Sequence, residues 1–170
     1  MKSKTWILLT LILAAAFSRF VPHPWNWTAV GAAALLSGSR FDNVWAGLLV
    51  PVAALFVSDL FIGFHSTMAF VYGAMVLISL FAWVLRAKLT DWKWIAGAAL
   101  SSSLLFFLVT NFGVWAMDTF YPPTAAGLLE CYGAGLPFLA SQALGDLFYC
   151  GIFFGAYQWI GVKQPAWVTE

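Results

Sequence analysis

Apolar residues fill this chain in long unbroken blocks, and the polar positions fall between the blocks rather than alternating within them. Runs such as residues 6–17 and 69–85 carry no period of two. They therefore predict helices and not the strands of a transmembrane barrel. Crossing the ~30 Å of bilayer hydrocarbon takes a helix of some 20 residues. By that measure the pattern predicts six helices, over residues 5–20, 27–36, 43–62, 68–85, 94–115 and 138–160. Pro22 and Pro24, flanking His23, stop the first, because proline lacks an amide donor and restricts its predecessor. The stretch Ser37-Gly38-Ser39-Arg40 predicts a break after the second. Pro51 lies inside the third, where a membrane bundle tolerates it. A loop at 63–67 and a charged connector with Arg86, Lys88, Asp91 and Lys93 bound the fourth. Residues 117–137 form a long semi-polar segment without Lys or Arg, in which 124–132 predicts a short helix lying on or dipping into the membrane.

Composition agrees with the pattern. Of 170 residues, 62% are hydrophobic and 9% charged, against roughly 25% charged in a soluble domain. The bilayer is the solvent that suits such a chain. Six spans with short loops nearly exhaust it, which predicts one all-α integral membrane domain over residues 1–170. Lys2, Lys4 and the apolar run through Ala14-Ala15-Ala16 resemble a signal peptide. The run continues to Phe20 and Val21, however, and more spans follow, so an uncleaved first helix is expected.

Charge then orients the bundle. With the N-terminus in the cytoplasm, the inner segments hold Lys2, Lys4, Arg40, Arg86, Lys88, Lys93 and Lys163, seven of the eight basic residues. Only Arg19 falls on the other side. The positive-inside rule thus predicts a multi-pass protein of the bacterial inner membrane with both termini cytoplasmic. A net charge of +1 argues against nucleic acid as a partner.

Ionisable residues within membrane spans usually pair, face the interior or line a wet cavity. Here they are Arg19, Asp59 and Asp146, all expected in the outer half, with Glu130 nearby. Two readings stand: an Arg19–Asp59 or Arg19–Asp146 pair that ties helices together, or a ligand site. Two acids to one base leave a spare carboxylate, which favours the second. Further polar and aromatic residues fall on the same side: His23, Trp25, Asn26, Trp27, His65, Ser66, Thr67, Asn111, Trp115, Tyr121, Tyr132 and Gln142. Trp6, Trp92, Trp94, Trp159 and Trp167 suit the inner interfacial belt. Trp25, Trp27 and Trp115 suit either the outer belt or a pocket. No metal-site spacing surrounds His65, and Cys131 and Cys150 are too few and too far apart for a cluster, so neither a metal nor a cofactor is expected. HExxH, GxSxG, GxxxxGK[ST] and CxxC are all missing, so the reading is not an enzyme, and any pump would draw its energy from a partner. Ala14 and Ser18, and Gly151 and Gly155, form small-xxx-small pairs. These let helices approach closely, inside the bundle or, for Ala14 and Ser18, against another subunit.

A resemblance adds to this. Arg19-Phe20-Val21-Pro22-His23-Pro24-Trp25-Asn26-Trp27-Thr28 with Gly31 and Gly38, Ser58-Asp59-Leu60, Gly63-Phe64-His65-Ser66-Thr67, Thr110-Asn111-Phe112-Gly113-Val114-Trp115, Tyr121-Pro122 and Gly145-Asp146-Leu147-Phe148-Tyr149 resemble a family of uncharacterised bacterial membrane proteins described as transport proteins. More distantly, the layout is similar to the substrate-binding S components of energy-coupling factor (ECF) vitamin transporters. That resemblance implies a compact six-helix fold and a vitamin-like ligand held at the outer face. It also implies a helix 1 that meets an ECF coupling subunit, itself served by ATPase subunits, through Ala14 and Ser18. Some such proteins act alone, including cobalamin transporters with a cobalt-ligating cysteine after helix 3. This chain has His65 in that neighbourhood and no cysteine.

The expected function is therefore substrate capture or solitary transport of a small vitamin-like compound, a cobalamin-type ligand included. The expected substrate-binding residues are Arg19, Trp25, Trp27, Asp59, His65, Asn111, Trp115, Tyr121 and Asp146. A membrane enzyme using the outer carboxylates, and a scaffold in which the charges only hold helices together, are the alternatives.

Overall fold

The computed structural model describes residues 2–163, with the backbone alone for 2–5, 8 and 160–163. Six helices follow in order: α1 (Lys2–Ser18), α2 (Val30–Arg40), α3 (Val44–Ile62), α4 (Met68–Leu85), α5 (Trp92–Met117) and α6 (Ala125–Lys163). Among the described residues there is no strand. Four helices are long and apolar enough to cross a membrane: α3, α4, α5 and the Ala125–Trp159 part of α6. Large apolar side chains such as Phe61, Val84, Leu129 and Leu144 point outward. Lipid is the surrounding that makes such a surface favourable, and the chain is a helical membrane bundle.

Caps mark the helix starts. The Asn43 side chain accepts from Trp45 N at 2.9 Å at the head of α3, and Asp91 accepts from Lys93 N at 2.8 Å at the head of α5. Thr124 Oγ1 accepts from Gly127 N at 3.1 Å where α6 begins. Successive helices alternate in direction. Residues 19–29, 63–67 and 118–124 share one end, where Ser66 donates to Asp118 Oδ1 at 2.8 Å. The turns at 41–43 and 86–91 share the opposite end, where Arg40 donates to Leu89 O. Arg40, Arg86, Lys88 and Lys93 lie at this second end, and by position in the helices so do Lys2, Lys4 and Lys163.

Two elements differ from the sequence reading. The second helix begins at Val30, not at 27, and runs through Ser37-Gly38-Ser39 to Arg40. Those residues do not break it. Ser39 Oγ bonds back to Leu36 O at 3.1 Å, and a Cβ on Gly38 would collide with the Ser79 carbonyl of α4. Glycine is there for close helix approach. At 11 residues α2 spans about 16 Å, half of a bilayer core, so it is not a membrane span in its own right. The expected short helix at 124–132 and the helix at 138–160 are one 39-residue helix, α6, which continues through Pro137. One proline removes one amide donor, and a membrane helix absorbs that loss. Trp167 lies outside the described residues. Cys131 and Cys150 are both free and buried, and their 19-residue separation along α6 rules out a bond between them.

Helix α2 packs against all five other helices. Ten of its eleven residues are buried, and its Ala32-Ala33-Ala34 stretch is wholly inaccessible. Around it stand Val50 and Ala54 of α3, Ile78 and Ala82 of α4, Ala99 of α5, and Cys150 and Phe154 of α6. Pro51 leaves the carbonyl four residues earlier without its usual partner, and Ser37 Oγ of α2 donates to that carbonyl, Gly47 O, at 2.8 Å. A Ser37→Ala variant should lose roughly 1 kcal/mol of stability. Most of that loss should disappear in a Pro51→Ala background, where the α3 amide is restored. A double-mutant cycle by thermal unfolding in lipid nanodiscs measures the coupling; additive effects would contradict this pairing.

Candidate functional site

The end of the bundle that carries residues 19–29 holds two polar centres and two cavities. The first centre begins with Arg19, one residue beyond α1. Its Nη1 donates to Asp59 Oδ1 at 2.5 Å, to Leu55 O at 3.4 Å, and to Ser58 Oγ. Tyr72 of α4 donates to Asp59 Oδ2 at 2.8 Å. Asp59 is 1% exposed, so its charge is matched where it is buried, and the pair ties α1 and α4 to α3.

The second centre is Asp146 on α6, 3% exposed. Its Oδ2 accepts from Ser103 of α5 at 2.6 Å, and Gln142, one turn earlier, lines the same cavity. Both are neutral. Asp146 lies against the first turn of α2, where a Cβ on Gly31 would overlap Oδ1. Ser103 is near the middle of α5, so Asp146 sits deeper than the outer-half position read from the sequence. The deeper placement follows from α6 starting at Ala125 instead of near 138. Arg19 is bonded to Asp59 and not to Asp146, which makes Asp146 the spare carboxylate.

Between these centres lies a cavity of about 210 Å³, with Arg19 and His65 toward its rim, Asn26, Thr28 and Gln142 on its sides, and Asp146 and Gly31 at depth. Leu55, Met75 and Phe106 complete it. A second cavity of about 340 Å³ shares Asn26, Val71 and Phe106 with the first and extends along α5 and α6 past Thr110, Asn111, Tyr121, Cys131 and Phe138. Asn26 stands at the junction with φ of 57°, a left-handed backbone that asparagine tolerates better than most residues. The irregular segment 19–29 thus occupies the height that the short α2 leaves open. Non-helical backbone at membrane depth occurs where it is buried in protein or lines a cavity.

Of the residues expected from sequence, Arg19, His65 and Asp146 line the first cavity, and Asn111 and Tyr121 the second. Asp59 stands behind Arg19. His65 Nδ1 shares a hydrogen bond with Thr67 Oγ1 at 2.9 Å, and Asn111 donates to Phe107 O at 2.8 Å. The tryptophans are not brought to the cavities. Trp25 packs on Phe138 and is 67% exposed, Trp27 lies on Phe148 and Gly145, and Trp115 donates to Pro122 O at 3.0 Å. Ala14 is exposed, but Ser18 is buried, with its hydroxyl on Ala15 O and accepting from Ala29 N. These two residues do not form a common outer face. Glu130 is exposed at the head of α6. Sequence reasoning missed Tyr72 and Ser103, ordinary helix residues that carry no signal until helix register is known. Among the described residues no group of three His, Cys, Asp or Glu could hold a metal.

A helical membrane protein with a polar-lined cavity pair at one end is the class that fold and site define. The chain belongs to DUF6580, a family of unknown function, which it matches over residues 1–167. No curated protein and no solved structure matches it.

The Arg19–Asp59 pair makes a direct prediction. Arg19→Leu alone should cost about 3 kcal/mol, because it strands a buried carboxylate. Arg19→Leu combined with Asp59→Leu should recover most of that loss. Unfolding of both variants in nanodiscs checks the difference, and equal destabilisation would remove the pair from the account.

Proposed function

We propose that this protein captures a small vitamin-like organic molecule in the two adjoining cavities. It would act either as the substrate-binding subunit of an uptake system or as a solitary transporter. The observation that carries this reading is the continuous wall from Arg19 through Asn26 to Tyr121, with a buried carboxylate at its depth. Ligand sites are concave, mostly apolar and furnished with a few convergent polar groups, and the volumes here suit a ligand of one or two rings. That size favours a simple heterocycle over a corrinoid, and it leaves His65 at the rim as a hydrogen-bonding group.

The basic residues gathered at the opposite end support a cytoplasmic placement of that end, with the cavities opening outward. The compact layout and the outer-end cavity agree with the distant likeness to ECF S components. In that arrangement coupling and ATPase subunits would supply the energy, and Ala14 rather than Ser18 would be available to a neighbour on helix α1.

Native mass spectrometry of the protein, gently purified from its own host, tests the proposal. The expected result is a retained small-molecule mass in the wild-type protein that is absent from an Asp146→Ala variant that still inserts. A clean wild-type mass, together with unimpaired uptake in the variant, would overturn it.

A further inference from the structure

From the charge balance of the site, we infer that the molecule it takes is an organic cation, a protonated amine, amidine or nitrogen heterocycle, whose N–H groups meet Asp146. The inference rests on the capture reading above and adds the chemical class of the ligand.

The first observation is local. Two formal charges line the inner cavity, that of Arg19 and that of Asp146, besides the imidazole of His65 at the rim. The guanidinium is already neutralised, since Nη1 is committed to Asp59, Ser58 and Leu55 O and Asp59 is closed off further by Tyr72. Asp146 accepts from the hydroxyl of Ser103, and among the described residues no cation is bonded to it. A buried carboxylate with neutral partners is costly, and a counter-charge that enters with the ligand removes that cost. Gly31 lets the carboxylate lie directly against the α2 backbone, since a Cβ there would overlap Oδ1.

The second observation is at the scale of the whole end. Its acidic residues are Asp59, Asp118, Glu130 and Asp146, and its one Lys or Arg is Arg19, a formal balance of −3. Low-dielectric walls focus such a field and raise the local concentration of cations. The aromatic lining of the outer cavity, Phe106, Tyr121 and Phe138, suits the flat face of a cationic ring. The cation is taken as organic, since among the described residues no group of three His, Cys, Asp or Glu stands ready to hold a metal ion.

The experiment is a charge series on one scaffold: benzamidine, benzamide and benzoate, which are close in size and differ in charge. Binding to the full-length protein in zwitterionic nanodiscs is measured by calorimetry, with empty discs as the baseline. Benzamidine should bind at least about tenfold tighter than the other two. Asp146→Asn, which keeps shape and packing, should weaken benzamidine by a similar factor and leave benzamide little changed. Equal or tighter binding of benzoate or benzamide in the wild-type protein would overturn the inference and leave capture standing, as would an anionic mass retained from the host. Undiminished benzamidine binding in Asp146→Asn would do the same. If no probe binds and no molecule is retained, the capture reading falls and this inference with it.

Discussion

Inside a bilayer no water is available to rescue a backbone group, so every amide and carbonyl of this protein must find its partner within the chain. That constraint bears hardest on α2, which is enclosed by all the other helices. Only small side chains allow five helices to close around one, and α2 supplies Gly31, Ala32, Ala33, Ala34 and Gly38. Packing this tight also brings hydroxyls within reach of neighbouring backbones. Ser37 meets the carbonyl freed by Pro51, and Ser18 accepts from Ala29 N just ahead of α2. The proline in α3 and the serine in α2 are thus one structural device shared by two helices.

The brevity of α2 has a second effect. A helix of 11 residues cannot fill the full height of the bundle, so the chain reaches its start through the irregular residues 19–29. Irregular backbone packs less evenly than helix, and the two polar-lined cavities open there, while at the other end of α2 Arg40 stacks on Phe154 and Tyr157. The Arg19–Asp59–Tyr72 group anchors one side of that opening, and Trp25 and Trp27 anchor the other by lying on α6. The same shortage of helix that forces a loop into the bundle creates the two cavities.

Much of the fold was legible from local signals. The starts of α3 and α5 fall at Asn43 and Asp91, whose side chains accept from the first-turn backbone, and α3 ends at Gly63, whose φ of 106° suits glycine. The misreadings share one cause. Ser37-Gly38-Ser39 and Pro137 are local breakers that tertiary packing overrides, and a single sequence does not show where a neighbouring helix will press. The charged members of the site were visible because charge is rare in a membrane span. That Arg19 takes Asp59 and leaves Asp146 alone was not visible, since it depends on helix register and on Ser103 and Tyr72, which look like any other helix residues.

The packing below the cavities bears on how a captured molecule could cross. Under Asp146 and Gly31 the bundle holds Ala33, Ala34, Val50, Ala54 and Ile78, all at most 1% exposed. Interiors packed to this density switch between discrete arrangements rather than deform gradually. The Ser37–Gly47 link, the Gly38–Ser79 approach and the buried ion pair hold α2, α3 and α4 together as a unit. Against α6, the site end of α2 contributes the Gly31–Asp146 contact, whereas the Ser103–Asp146 bond joins α5 to α6. Relative movement along that seam breaks the fewest of these polar ties, and it would change the surroundings of Asp146 directly. On the capture proposal, Asp146 would then register both the ligand and the state of the bundle.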